Sequence, residues 1–165
     1  MTTEPWILRP IRSRDDEAVA AIIRDVMTEH RCSGEGFAIH DAEVGAMSAN
    51  YRGGDARYYV VEHAGEVLGG GGFARLGGSS ASEATCELRK MYFRPAVRGL
   101  GIGWALLQLL LAEARAAGYR RCYLETTSWM HRAQALYRQA GFAPLPGPQG
   151  CTGHHGCDAY FARDL

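Results

Sequence analysis

Two rhythms of apolar residues run through the chain. Val19, Ile22, Ile23 and Val26 recur at helical spacing, behind an acidic start at Asp15, Asp16 and Glu17 that the helix dipole favours. Ala105, Leu106, Leu109, Leu110 and Leu111 give a broader apolar face to a helix predicted over 100–117, with Gly118 as its stop. A shorter helix is predicted over 131–140, ended by Gly141, and a weaker one over 41–51. Elsewhere the pattern tightens to strands at 7–12, 57–62, 67–74, 85–93, 121–126, 142–145 and 159–165. Pro10 confines the first strand to a sheet edge, and His63-Ala64-Gly65-Glu66 reads as a hairpin turn. Gly69-Gly70-Gly71-Gly72 leaves one strand without side chains, so a backbone or a ligand is expected to approach it closely. With no repeat and no linker, the pattern describes one α/β domain over 1–165, with an antiparallel front and a strand–helix–strand back.

Composition narrows the function classes. The chain has 165 residues, 47% apolar and 22% charged, the mixture of a globular domain. Eighteen basic residues balance eighteen acidic ones, so no net field draws the chain to nucleic acid or to an anionic membrane. Its longest apolar stretch, 104–112, is broken by Gln108 and falls short of the roughly 18 residues that span a bilayer. Five cysteines form no obvious disulfide framework, and the first residues carry no basic-then-apolar leader. The expectation is a reduced, soluble, cytoplasmic protein with neither nucleic acid nor membrane as partner. Glycine is the outlier: 21 residues, nearly twice the usual share of about 7%.

Part of that excess lies in Arg98-Gly99-Leu100-Gly101-Ile102-Gly103, after a strand and at the head of the strongest helix. Glycines there let main-chain N–H groups approach an anion, the helix N-terminus adds partial positive charge, and Arg98 offers a fork for phosphate oxygens. Tight packing is the plainer reading of the same turn. A Walker A loop is excluded because no Lys-Ser or Lys-Thr pair follows the glycines. A dinucleotide fingerprint needs a glycine where Trp104 stands, although Glu125 lies at a suitable distance.

Glu87-Leu88-Arg89-Lys90-Met91-Tyr92-Phe93-Arg94-Pro95 followed by this turn resembles the central motif of the GCN5-related N-acetyltransferase (GNAT) family. That signature is Arg or Gln, two residues, Gly, one residue, then Gly or Ala, and Arg98, Gly101 and Gly103 fit it. Ala133-x-x-Leu136-Tyr137-x-x-x-Gly141-Phe142 resembles the family's second motif. The resemblance implies a mixed, mostly antiparallel sheet of six to seven strands flanked by about four helices. It also implies acetyl-coenzyme A, and no metal, at a gap where strands 85–93 and 121–126 splay apart. The segment Met91-Tyr92-Phe93 would hold the pantetheine arm and thioester carbonyl through its backbone, and the amides of Arg98, Gly99, Leu100, Gly101, Ile102 and Gly103 the pyrophosphate. Met130 departs from the pattern, where many relatives carry asparagine.

By the same resemblance Tyr137 assists the departing thiolate. Its spacing with Ala133, Leu136 and Ala140 also describes an ordinary core tyrosine. Glu87 is the candidate general base, since an amine must lose a proton as it attacks; the alternative is a surface carboxylate paired with Arg89 or Arg121. Cys151-Thr152-Gly153-His154-His155-Gly156-Cys157 holds its ligand types too close together for a usual zinc site. In the GNAT arrangement this loop overhangs the acceptor, which makes His154 and His155 substrate contacts, with Glu35 on the opposite wall. The expected reaction is acetyl transfer to a primary amine of a small molecule or amino acid, by direct attack in a ternary complex. Alternatives are a protein N-terminal or lysine acetyltransferase, a non-catalytic acyl-coenzyme A sensor, and a nucleotide-dependent oxidoreductase. A homodimer is among the assemblies allowed.

Overall fold

The computed structural model describes residues 4–165. The strands are β1 (Ile7–Pro10), β2 (Arg52–Gly53), β3 (Ala56–His63), β4 (Glu66–Arg75), β5 (Thr85–Phe93), β6 (Arg121–Thr126), β7 (Ala143–Leu145) and β8 (Ala159–Asp164). The helices are α1 (Asp16–Glu29), α2 (Met47–Asn50), α3 (Ile102–Ala116) and α4 (His131–Gln139). One sheet runs β1-β3-β4-β5-β6-β8-β7, with the two-residue β2, unforeseen in the sequence, paired to β3. Every pairing is antiparallel except β5 with β6.

Two apolar layers hold the sheet. Leu106, Leu107, Leu110 and Leu111 of α3 pack with Phe73, Leu88, Leu124 and Phe161 on one side. On the other, Val19, Ile23 and Met27 of α1 meet Tyr58, Val60, Val44 and Met47. Each such side chain, taken fully from water, stabilises the fold by roughly 1.5–3 kcal/mol.

The weak helix expected over 41–51 is instead a chain of 3₁₀ turns at Ala38–His40 and Ala42–Ala46 that ends in the single turn of α2. Gly45 lowers helix propensity there. Asp41 is extended, and the carboxylates of Asp41 and Glu43 are drawn inward to the Lys90 ammonium. Helix α3 starts at Ile102 rather than 100, because Gly99 and Gly101 take φ values of 79° and 77° to turn the chain.

The four glycines of β4 make room for neighbouring side chains. A Cβ on Gly70 would lie 2.6 Å from the Tyr58 ring, and one on Gly71 would lie 2.8 Å from Met91 Cγ. Bare backbone here seats Tyr58 on one face of the sheet and Met91 on the other.

Two irregularities then shape the middle of the sheet. The register passes from Gly72↔Arg89 to Gly70↔Tyr92, so Lys90 and Met91 together oppose Gly71 in a bulge, with Lys90 at φ 48°. The parallel pair β5–β6 keeps register only from Thr85↔Arg121 to Glu87↔Tyr123; beyond Glu87 the strands part. All five thiols are free: Cys86 and Cys122 are buried side by side across β5 and β6, Cys32 is buried, Cys157 is half-buried and Cys151 is exposed.

Candidate functional site

Where β5 and β6 part, two spaces open, and they meet. The larger is an open groove of about 890 Å³ running from the glycine turn past Phe93, Trp104, Leu136 and Tyr137. Along its floor the backbone of β5 is unpaired on one edge. Arg94 N–H donates to Leu68 O at 2.8 Å, and Tyr92 stands opposite Gly70, so strand alternation turns the N–H and C=O of Phe93 toward the β6 side.

At the groove's far end, Gly101 caps α3 with no side-chain hydrogen bond. The first helical bond runs from Ala105 N–H to Gly101 O, and the amides from Gly99 to Trp104 have no acceptor among the described residues. Nothing lies within 4 Å of where a Cβ on Gly99 or Gly101 would sit. These donors at a helix N-terminus, with open space before them, fit a phosphate-bearing group. The Arg98 fork expected for phosphate is engaged elsewhere. Its Nη1 and Nη2 donate to the Glu29 carboxylate at 2.6 and 2.8 Å, and its Nε to Phe93 O at 3.0 Å. Arg98 thus ties the turn to β5 and α1. Leu100 is exposed, and neither it nor Ile102 contributes a side chain to the groove wall.

The smaller space is a cavity of about 80 Å³, walled by Glu87, Arg89, Lys90, Glu125, Thr127 and His154 together with Phe37, Met27 and Leu124. Met91, Tyr92, Met130, Ala133 and Tyr137 line both spaces, so they form the neck between them. Two loops close the cavity from outside. Gly156 N–H donates to Gly36 O at 3.0 Å, and the His155 ring lies against Gly36, where a Cβ would come within 2.6 Å of it.

A chain of charges runs through the cavity wall. Glu87 is 4% exposed, so it is no surface carboxylate; it accepts Arg89 Nε–H at 3.0 Å and stands 3.9 Å from His154 Nδ1. His154 Nε2 is 3.0 Å from both oxygens of Asp41, which also accepts Lys90 Nζ at 2.7 Å. Lys90 Nζ bonds Glu43 as well, and Glu43 accepts the Tyr51 hydroxyl at 2.7 Å. Burial pushes the Glu87 carboxyl up from its ordinary value, against the pull of Arg89 and His154. Burial opposes charge on His154, but the hydrogen bond and charge of Asp41, with Glu87, outweigh it and raise the imidazole.

Tyr137 is 8% exposed, with its ring centroid 5.9 Å from Phe142 and 6.4 Å from Phe161. It is therefore both a core residue and a wall of the neck. Burial raises its phenol well above the ordinary value, so the hydroxyl keeps its proton at neutral pH. Of the residues expected around the acceptor, only His154 faces the cavity. His155 is exposed on the outer loop, and Glu35 is exposed and lies outside the wall because its loop turns it outward. The cavity adds Lys90, Glu125 and Thr127, with Asp41 behind Lys90 and His154, which local spacing could not single out. Among the described residues, no group of three or more His, Cys, Asp or Glu side chains converges as a metal site.

A family model described as the Acetyltransferase (GNAT) family matches residues 15–142. The chain is 39% identical over 160 residues to an uncharacterized N-acetyltransferase of Escherichia coli (strain K12), YjgM, covering 96% of this chain and 95% of that one. It is 39% identical over 111 residues to the IAA acetyltransferase of Azospirillum brasilense, covering 67% of this chain and 69% of that one. Among solved structures, a GNAT-family acetyltransferase of Staphylococcus aureus Mu50 has the same fold at a TM-score of 0.81 and 18% identity, over 98% of this chain and 99% of that one. YncA of Salmonella typhimurium, solved with its cofactor acetyl-CoA, matches at 0.75 and 21% identity, over 98% of this chain and 94% of that one.

Proposed function

This chain belongs to the GNAT acetyltransferase family, and from that premise we propose that it transfers the acetyl group of acetyl-coenzyme A to the primary amine of a small acceptor, by direct attack with both bound. The observation that carries this reading is the meeting of two unlike spaces, an open groove and a smaller cavity with charged side chains in its wall, at a neck that includes Met91, Tyr92 and Tyr137. Acetyl-coenzyme A supplies the thioester and its thiol leaving group.

The unpaired amides of the turn bind the pyrophosphate, and the Phe93 N–H, on the edge of β5 that faces away from β4, offers a main-chain donor to the amide-bearing arm, while Arg98 holds the Phe93 carbonyl. Arg98 buttresses the turn from Glu29. Glu87 takes the proton that the amine gives up as the C–N bond forms. The Tyr137 hydroxyl, kept protonated by burial, donates a hydrogen bond to the sulfur as the C–S bond breaks and the coenzyme leaves as its thiolate. Direct transfer is favoured over an acetyl-cysteine because Cys86 and Cys122 line neither space. Cys32 and Cys157 do line the cavity, but burial pushes both thiols up, Cys157 to about 12, which leaves little thiolate. A cavity of about 80 Å³ overhung by two loops favours a small acceptor over a protein segment.

The test is formation of N-acetylamine, followed by mass so that the native thiols do not interfere. Glu87 must be ionised to accept a proton, and its carboxyl is raised, so kcat/KM is expected to fall on the acid side at a higher pH than an ordinary carboxylate of about 4.3 would give. Glu87→Gln is expected to lower kcat about 100-fold and to flatten that limb. An unchanged limb and rate would remove Glu87 from the role of base. Failure of every primary amine to yield product would remove the reading itself.

A further inference from the structure

The cavity wall holds Arg89, Lys90 and His154 with the carboxylates Glu87 and Glu125; two more carboxylates, Asp41 and Glu43, stand behind it, and their pairing is unequal. Arg89 is committed to Glu87 and to the Arg75 carbonyl at 3.2 Å. Lys90 is committed to Asp41 and Glu43, and His154 to Asp41 with Glu87 beyond it. Three cations thus answer three carboxylates within the protein. The remaining carboxylate, Glu125, accepts only the neutral hydroxyl of Thr152, at 2.6 Å, and pairs with no cation among the described residues. One residue past β6, Thr127 is 1% exposed, lines the same cavity, and leaves its Oγ1 without a nitrogen or oxygen partner among the described residues, with the Cys32 thiol as its polar neighbour. A buried hydroxyl without a partner is costly, and inside a cavity it marks a place where a ligand group completes the bond.

We propose that the acceptor is a small primary amine carrying no carboxylate, with Glu125 and Thr127 as its specificity-determining contacts. This rests on the transferase reading of the same site and deepens it. Every cation in the wall is already neutralised, so an acceptor carboxylate would be buried without a partner and beside Glu125. An ammonium or a second donor on the acceptor instead meets an unneutralised carboxylate and a free hydroxyl oxygen. The structure therefore selects alkylamines, amino alcohols and diamines over the amino acids that share their carbon skeletons.

Matched pairs that differ only by the α-carboxylate isolate this claim: ethanolamine with serine, isobutylamine with valine, and 1,4-diaminobutane with ornithine. Binding of each to the full chain is measured by calorimetry, and N-acetyl product with acetyl-coenzyme A by mass. The amine of at least one pair is expected to bind at least about 100-fold more tightly than its amino acid. Glu125→Gln is expected to narrow that ratio tenfold or more. Thr127→Val, whose apolar isostere removes the unpaired hydroxyl, is expected to melt no lower than the wild type while weakening the amine several-fold.

Equal or tighter binding of the amino acids overturns the proposal, as does failure of both members of every pair to bind, or an unchanged ratio in a folded Glu125→Gln protein. Amines that bind with the expected discrimination yet are never acetylated leave the acceptor assignment standing and remove the transferase reading. Amino acids acetylated as fast as amines do the reverse.

Discussion

Glutamate in place of Gly101 is expected to abolish measurable binding of acetyl-coenzyme A, weakening it at least about 100-fold, or about 2.7 kcal/mol. Two effects act together. The position is the N-cap of α3, where the partial positive end of the helix and the unpaired amides face the groove, and a carboxylate there answers them before any phosphate can. Gly101 also holds φ 77°, a left-handed conformation that costs a residue with a Cβ about 1–2 kcal/mol. Nothing lies within 4 Å of the added Cβ, so the domain survives, with its melting temperature lower by a few degrees. Calorimetric titration with acetyl-coenzyme A, with NAD as the control ligand, reads the first effect and a thermal melt the second. Gly101→Ala separates them, since it keeps the strain and omits the charge. Retained affinity in a folded Gly101→Glu protein would show that the turn does not cradle phosphate.

Tyr137→Phe should lower kcat about 100-fold while the affinity for acetyl-coenzyme A stays within twofold. The substitution keeps the ring that packs on Phe142 and Phe161, and the hydroxyl makes no hydrogen bond within the described chain, so stability should hold. What is removed is a buried phenolic proton at the neck between groove and cavity, which the Tyr92 phenol also lines. A sensor that merely binds an acyl-coenzyme A has no need of that proton. Unchanged turnover would therefore reduce Tyr137 to the core residue that its helical spacing alone describes.

The periodic parts of the chain were legible because their cause is local. The apolar face of α3, the apolar run of β3 and the glycine turn each follow from residues a few positions apart. The site's inner wall was not, because its bonds are long-range: Lys90 meets Asp41 across 49 positions, and His154 meets Asp41 across 113. No spacing rule places Lys90 in a bulge at φ 48°, since the ammonium is held there by carboxylates from another loop. For the same reason Glu35 and His155 looked as eligible for the cavity as His154. His155 packs on Gly36 in the outer loop, while Asp41 holds the His154 ring inward. Arg98 was rightly placed on the turn, but its partner, Glu29, lies 69 positions earlier.

The five thiols sit at graded depths, and that arrangement makes them internal clocks. An alkylating reagent reaches Cys151 in the native state, because it is exposed. Cys157 and Cys32 line the cavity beneath the two closing loops, and they become reachable as those loops separate. Cys86 and Cys122 lie within the sheet core and await its opening. Mass added over time should therefore rise in three phases, and an amine lodged in the cavity should slow the middle phase alone. Breathing of the acceptor chamber and unfolding of the molecule become separately countable on a single unmodified chain.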